Sequence, residues 1–101
     1  MIDVPERHLE TVKRILAEYA GGHEVRAFGS RVNGPAKDYS DLDLAIVGNG
    51  KLTRREKMLL REAFEESDLP FRVDVIDYHA VSESFQAIID NDYSIIQAKK
   101  N

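Results

Sequence analysis

The run Asp41–Val47 reads DLDLAIV, in which large apolar residues alternate with acidic or small ones. Successive side chains of a β-strand point to opposite faces, so Asp41, Asp43 and Ala45 share one face of the predicted strand. The opposite face carries Leu42, Leu44 and Ile46. The run therefore predicts a strand with one face in the core and one face that bears carboxylates.

Upstream of this strand the pattern predicts one helix and one further strand. Residues 5–20 carry apolar residues at helical spacing, with Asp3 and Glu6 as the expected start signal and two glycines after the end. Glu24–Phe28 is short and reaches a tight turn at Gly29-Ser30, as is typical of a strand.

Downstream of this strand the pattern predicts further helices and strands in alternation. Thr53 with Glu56 three residues later predicts a capping box that opens a second helix. Phe71–Tyr78 is rich in β-branched and aromatic residues and predicts a third strand. The last two predicted elements are a helix with Phe85, Ile88 and Ile89 and an edge strand over Tyr93–Ile96. Alternating helices and strands indicate the α/β (α+β) class.

Length and composition exclude several classes of protein. A chain of 101 residues predicts a single domain over residues 1–101, with 43% apolar residues for one core. Because there are no cysteines, disulfide frameworks, thiolate zinc sites and cysteine nucleophiles are excluded. We expect no signal peptide and no membrane anchor, since no sufficiently long apolar segment occurs, and hence a cytoplasmic location.

The charge balance also restricts the partners. The chain has 14 Lys and Arg against 18 Asp and Glu, a net charge of −4. Direct nucleic-acid binding draws its affinity from a basic face, so it is not expected here. A charged small substrate that arrives with a metal ion remains compatible with this balance.

Asp41 and Asp43 suggest a metal site. Residues i and i+2 of a strand lie about 6.5–7 Å apart on one face, so two carboxylates there can converge on metal ions. Like charges at this distance repel unless a cation lies between them. Oxygen ligands favour Mg²⁺ or Mn²⁺. The alternative interpretation is a strand whose polar face simply contacts water.

A second motif favours the metal interpretation. Gly29-Ser30 follows a strand, where main-chain N–H groups and a hydroxyl can hold a phosphate and glycine permits close approach. Ten residues separate Ser30 from Asp41, and a further strand acid follows at Asp74. Three carboxylates near a phosphate-binding turn suit metal-assisted nucleotidyl transfer.

Together these motifs resemble a known family. Phe28–Arg31, Ser40–Ala45 and Val73–Asp77 are similar to the motifs of the minimal nucleotidyltransferase (MNT) family of the DNA polymerase β superfamily. The spacing between Ser30 and Asp41 is that of the family, and the resemblance covers nearly the whole chain. It implies a nucleotidyltransferase fold, in which helices pack on a small mixed β-sheet like the palm of polymerase β.

The resemblance also implies roles for individual residues. Gly29 and Ser30 would hold the phosphates of a nucleotide, and Arg31 would contact a phosphate or stay a solvated loop residue. Mg²⁺ binding and catalysis are implied for Asp41, Asp43 and Asp74, the last of which would also activate the acceptor hydroxyl. Asp77 shares a face with Val73 and Val75, opposite Asp74, and is therefore interpreted as a strand-end or surface acid.

The resemblance extends to a partner and an activity. MNT proteins are typically encoded beside a small helical HEPN protein, a ribonuclease toxin, and act as its antitoxin. The implied reaction is Mg²⁺-dependent transfer of AMP from ATP to a tyrosine of the HEPN toxin. We therefore expect a protein adenylyltransferase that forms a hetero-oligomer with this partner.

Two alternatives stay open. The chain could neutralise its partner by binding alone, although retention of three acids in one cleft argues against a vestigial site. It could also be a stand-alone transferase for a small molecule such as an aminoglycoside, whose positive charge would suit an acidic site. The absence of room for a second domain argues against that pocket.

Overall fold

The computed structural model describes residues 2–100 and contains one four-stranded sheet with helices on both faces. The strands have the spatial order β3-β2-β1-β4. The elements are α1 Glu6–Tyr19, β1 Glu24–Phe28, α2 Ser30–Asn33, β2 Leu42–Val47, α3 Arg54–Glu65, β3 Val73–Asp77, a 3₁₀ turn Tyr78–Ala80, α4 Glu83–Asn91 and β4 Ser94–Gln97.

The sheet is mixed, as expected. β1 is antiparallel to both β2 and β4, whereas β2 and β3 are parallel. A parallel pair needs a crossover connection, which α3 provides. The register places Asp43 of β2 beside Phe28 of β1 and beside Asp74 of β3, so the two acids are lateral neighbours.

The predicted alternation of β2 is confirmed. Leu42, Leu44 and Ile46 are fully buried in the main core, where α1 and α3 cover one face of the sheet. On the other face Ala45 packs with Phe28 and with Ile89 of α4. Because α4 covers the Ala45 end of this face, the Asp43 end remains half-exposed.

Of the local predictions at helix starts, one is confirmed and one is wrong. Thr53 and Glu56 form the expected capping box at the start of α3. The start signal predicted from Asp3 and Glu6 does not form, because Pro5 caps α1 without a side-chain bond and the Asp3 N–H donates to the Arg31 carbonyl at 2.6 Å.

Asp77 is the last residue of β3, which confirms the first of its two predicted roles, a strand-end acid. It is only 4% exposed and is therefore not a surface acid. Its carboxylate accepts hydrogen bonds from the main-chain N–H groups of Leu52 at 2.8 Å and His79 at 3.1 Å, and the second of these caps the 3₁₀ turn. The Leu52 donor lies 25 residues away in the chain, where a residue pattern does not reveal it. In the described part of the chain, no helix has the length and apolar character needed to cross a membrane.

Candidate active site

The three predicted acids meet at one end of the sheet. Asp41 immediately precedes β2, Asp43 is its second residue, and Asp74 is the second residue of β3. Since β2 and β3 are parallel, both strands begin at the same end of the sheet. β1 is antiparallel to β2 and therefore finishes at that end. Asp41 is exposed and the other two carboxylates are partly buried, so the site opens to solvent.

Asp43 is the electrostatic centre of this group. Its burial, followed by the negative charges of Asp74 and Asp41, raises the pKa of the Asp43 carboxyl from 3.8 to about 6. These surroundings disfavour the ionised form of Asp43, and no cationic side chain contributes to the pKa of this carboxyl to offset them. A bound divalent cation would reverse this balance, so the donor set fits a hard, oxygen-coordinated metal ion.

Among residues 2–100, no group of three His, Cys, Asp or Glu side chains already has the arrangement of a metal site. The pairing of β2 with β3 fixes the relative main-chain positions of Asp43 and Asp74.

Gly29 directly follows β1 and borders the site beside Asp43. It has φ of +80°, a conformation that L side chains rarely adopt, and it leads directly into α2 at Ser30. A Cβ built on Gly29 would overlap the Asp43 Oδ2 atom. Glycine is therefore required both by the turn and by the close approach of the Asp43 carboxylate. The Ser30 hydroxyl, half-exposed beside it, forms no hydrogen bond within residues 2–100.

We expect Gly29→Ala to reduce stability and to displace the Asp43 carboxylate. Gly22→Ala is the matched control, because Gly22 has φ of +87° and open space around its virtual Cβ. Both variants carry the cost of an alanine at positive φ, about 1–2 kcal/mol. Denaturant unfolding should show a larger loss for Gly29→Ala, and equal losses would contradict the overlap with Asp43.

Arg31 is buried, which corrects the alternative of a solvated loop residue, whereas its phosphate contact stays a prediction. It is 4% exposed, and its Nε and Nη1 donate to the carbonyls of Ser40 and Asp3, each at 2.8 Å. Its Nη2 donates to the carbonyls of Asp38 at 2.8 Å and Lys37 at 3.3 Å. The guanidinium is thus occupied by main-chain carbonyls of neighbouring segments. It holds the loop that leads into Asp41.

A second cluster, which sequence patterns did not indicate, fixes α4 near the site. Arg26 of β1 lies 4.4 Å from the ring centroid of Tyr93 and donates to Asp90 of α4 at 2.7 Å. The Tyr78 hydroxyl also donates to Asp90, at 2.9 Å. These contacts connect β1, the 3₁₀ turn, α4 and the residue that precedes β4, so no local spacing could have predicted them.

Comparisons with known proteins agree with this geometry. Residues 10–101 match the family model "Polymerase beta, Nucleotidyltransferase". The "Probable protein adenylyltransferase MntA" of Haemophilus influenzae is 48% identical over 99 residues, which cover 98% of this chain and 87% of that protein.

Solved structures share the fold at lower identity. A toxin–antitoxin crystal structure with AMP-PNP superposes with a TM-score of 0.72 at 18% identity, over 91% of this chain and 74% of that one. A complex of tri-AMPylated Shewanella oneidensis HEPN toxin with its MNT antitoxin gives 0.70 at 17% identity, over 93% and 72%. The family match, the 48% identity and the arrangement of the three acids lead to one conclusion: this chain belongs to the polymerase β nucleotidyltransferase family and is an MntA-like nucleotidyltransferase.

Proposed function

We propose that this chain is a Mg²⁺-dependent protein adenylyltransferase that transfers AMP from ATP to a tyrosine of a HEPN-family RNase toxin and thereby acts as its antitoxin. The observation that carries the proposal is the position of Asp43, which is laterally paired with Asp74 and in close approach to Gly29. Support for the acceptor comes from the relatives, one described as a protein adenylyltransferase and one bound to an AMPylated HEPN toxin.

The chemistry needs charge neutralisation at the phosphates. Asp41, Asp43 and Asp74 would hold a Mg²⁺ ion, which would neutralise the triphosphate and lower the pKa of the acceptor hydroxyl. The negative charge that the surroundings of Asp43 disfavour would be compensated by such a cation.

The chain's own residues position the reactants. Gly29 leaves room for the Asp43 carboxylate to approach the main chain, and the Ser30 hydroxyl beside it can donate to a phosphate oxygen. The acceptor tyrosine oxygen bonds to the α-phosphorus as the bond from that phosphorus to pyrophosphate breaks. Asp74 accepts the phenolic proton, which makes it the general base. The products are AMP-tyrosine and pyrophosphate.

The intact mass of the partner tests the proposal. The protein encoded beside this chain, which the proposal identifies as the HEPN toxin, is co-expressed with the wild type or with the Asp41→Asn/Asp43→Asn variant. We expect an AMP-sized mass increment with the wild type alone. If the double variant adds no mass yet suppresses toxicity fully, neutralisation occurs by binding rather than by transfer.

We expect Mg²⁺ and ATP together to raise the melting temperature more than either does alone, because the metal ion and the triphosphate share ligands. At 100 times the dissociation constant a ligand stabilises by about 2.7 kcal/mol, equivalent to roughly 10 °C or more for a domain of this size. Thermal unfolding of the wild type and of Asp43→Asn measures this effect. An equal joint shift in both proteins would contradict the assigned metal ligand.

A further inference from the structure

The outer edge of β3 is unpaired and lies beside the active site. β3 is at one end of the sheet and pairs only with β2 among the described strands. The Leu42 N–H donates to the Arg72 carbonyl at 2.9 Å, so the main-chain groups of Arg72, Asp74 and Ile76 point to β2. In a parallel ladder the main-chain groups of Val73 and Val75 then point outward.

Most of these outward groups lack a partner. In residues 2–100, the single hydrogen bond to them comes from Arg61 Nη2, which donates to the Val75 carbonyl at 3.1 Å. The Val73 N–H, the Val73 carbonyl and the Val75 N–H are left available. They are the groups through which a further strand can be added to a sheet.

A cavity of about 560 Å³ lies along the same edge. Arg61 and Phe64 of α3 form one wall, and Arg72, Asp74 and Val75 belong to the other. The cavity therefore contains both the available edge and the proposed general base. Glu65 and Asp74 balance the two arginines of the lining, but Arg72 is exposed and forms no ion pair within residues 2–100, so it can pair with an acidic residue of an occupant.

We propose that the acceptor protein binds here by β-strand addition, with an extended segment paired to the outer edge of β3 and its tyrosine directly opposite Asp74. This inference rests on the proposed function and specifies how the acceptor reaches the site. The side chain opposite Asp74 lies on the carboxylate face of the sheet, with Cβ atoms about 4.5–5.5 Å apart. Arg72 lies two positions away on that face, so an acidic residue two positions from the tyrosine completes the match.

Val73→Pro tests this mode of binding. Proline removes the outward N–H of Val73 without interrupting the β2–β3 ladder, and an edge strand tolerates it at such a position. Val73→Thr is the matched control, because it keeps the N–H and the β-branched shape. Rates of AMP addition to the co-expressed HEPN partner are compared by intact mass, and folding by the melting temperature with Mg²⁺ and ATP.

We expect Val73→Pro to slow acceptor modification about tenfold or more, as loss of backbone pairing predicts, with Val73→Thr close to the wild type. Both variants should keep the joint Mg²⁺ and ATP stabilisation. Arg72→Glu is a second variant that does not depend on the tolerance of proline. It should raise the acceptor KM about tenfold or more, whereas Arg72→Lys should retain most of the wild-type rate.

The outcomes separate this inference from the proposed function. If the wild type adds no mass to the partner, the proposed function fails and this inference fails with it. If the wild type, Val73→Pro and Arg72→Glu modify the partner equally, transfer stands and strand addition is overturned. Conversion of a dimer to a monomer by Val73→Pro, at an unchanged rate, would assign the edge to a second copy of this chain instead.

Discussion

Asp43→Asn should lose about 10²–10³-fold of AMP transfer and yet unfold at a higher temperature than the wild type when no metal is present. The loss follows because a preorganised charge is removed from the reacting phosphate, where single groups contribute about this much. The gain follows because the folded protein disfavours the Asp43 carboxylate, whose pKa is raised to about 6 by burial and by Asp74 and Asp41. After allowance for the solvent that reaches this half-buried group, we expect a gain of about 1 kcal/mol.

The raised pKa of Asp43 also predicts how the stability of the wild type changes with pH. Near pH 4 the folded protein keeps Asp43 protonated, and the unfolded chain ionises it only around its ordinary value of 3.8. As pH rises through about 6, the wild type loses the stability that protonation supplied. The difference in melting temperature between Asp43→Asn and the wild type should therefore be largest above pH 7 and small near pH 4.

Asp68→Asn is the control for net charge, because Asp68 is exposed and lies outside the carboxylate group. Its melting temperature should stay near that of the wild type over the same pH range. Stabilisation of Asp68→Asn to the same degree would mean that general charge reduction, rather than relief of crowding at Asp43, causes the effect.

Arg31→Ala should be the most destabilising single substitution in the loop between Gly29 and Asp41. The guanidinium donates to the main-chain carbonyls of Ser40, Asp3, Lys37 and Asp38 and lies 4.3 Å from the ring centroid of Phe71. Removal leaves these acceptors without their donor and opens a gap at a buried position. A loss of about 3–4 kcal/mol is expected, with a fall in melting temperature of more than about 10 °C.

Arg31→Lys separates charge from geometry. Lysine keeps the positive charge but cannot reproduce the planar fork that reaches several carbonyls, so we expect it to recover only part of the stability. Denaturant unfolding of the three proteins measures the series. Wild-type stability in Arg31→Ala, combined with loss of the Mg²⁺ and ATP shift, would favour the phosphate contact that the sequence suggested.

Much of the fold was predictable because it depends on local periodicity. The alternation over Asp41–Val47 correctly assigns Leu42, Leu44 and Ile46 to the core, and the predictions of β1 and of the Thr53 capping box are likewise confirmed. Such features involve residues that are close in sequence, so the pattern contains the information. The assignment of Asp41, Asp43 and Asp74 to metal binding stays a prediction, although the structure brings their strands together.

The burial of Arg31 and of Asp77 could not be predicted, for one physical reason. Both are polar residues whose partners include main-chain groups of distant segments, such as the Asp3 carbonyl and the Leu52 N–H. Main-chain groups are the same at every position, so residue types do not reveal which of them will lie near a buried charge. A motif can therefore show that a residue matters without showing whether it contacts substrate or supports a loop.

The parallel pairing of β2 and β3 also determines when the protein becomes competent during folding. Asp43 and Asp74 are neighbours in the sheet, but residues 48–72, with all of α3, must be in place before the two strands can align. Contacts between positions so far apart in the chain carry a large loop-closure cost and form late. The carboxylate site is thus absent from any partly folded chain that has not completed this crossover. A nucleotide-binding signal would therefore report that this crossover is complete.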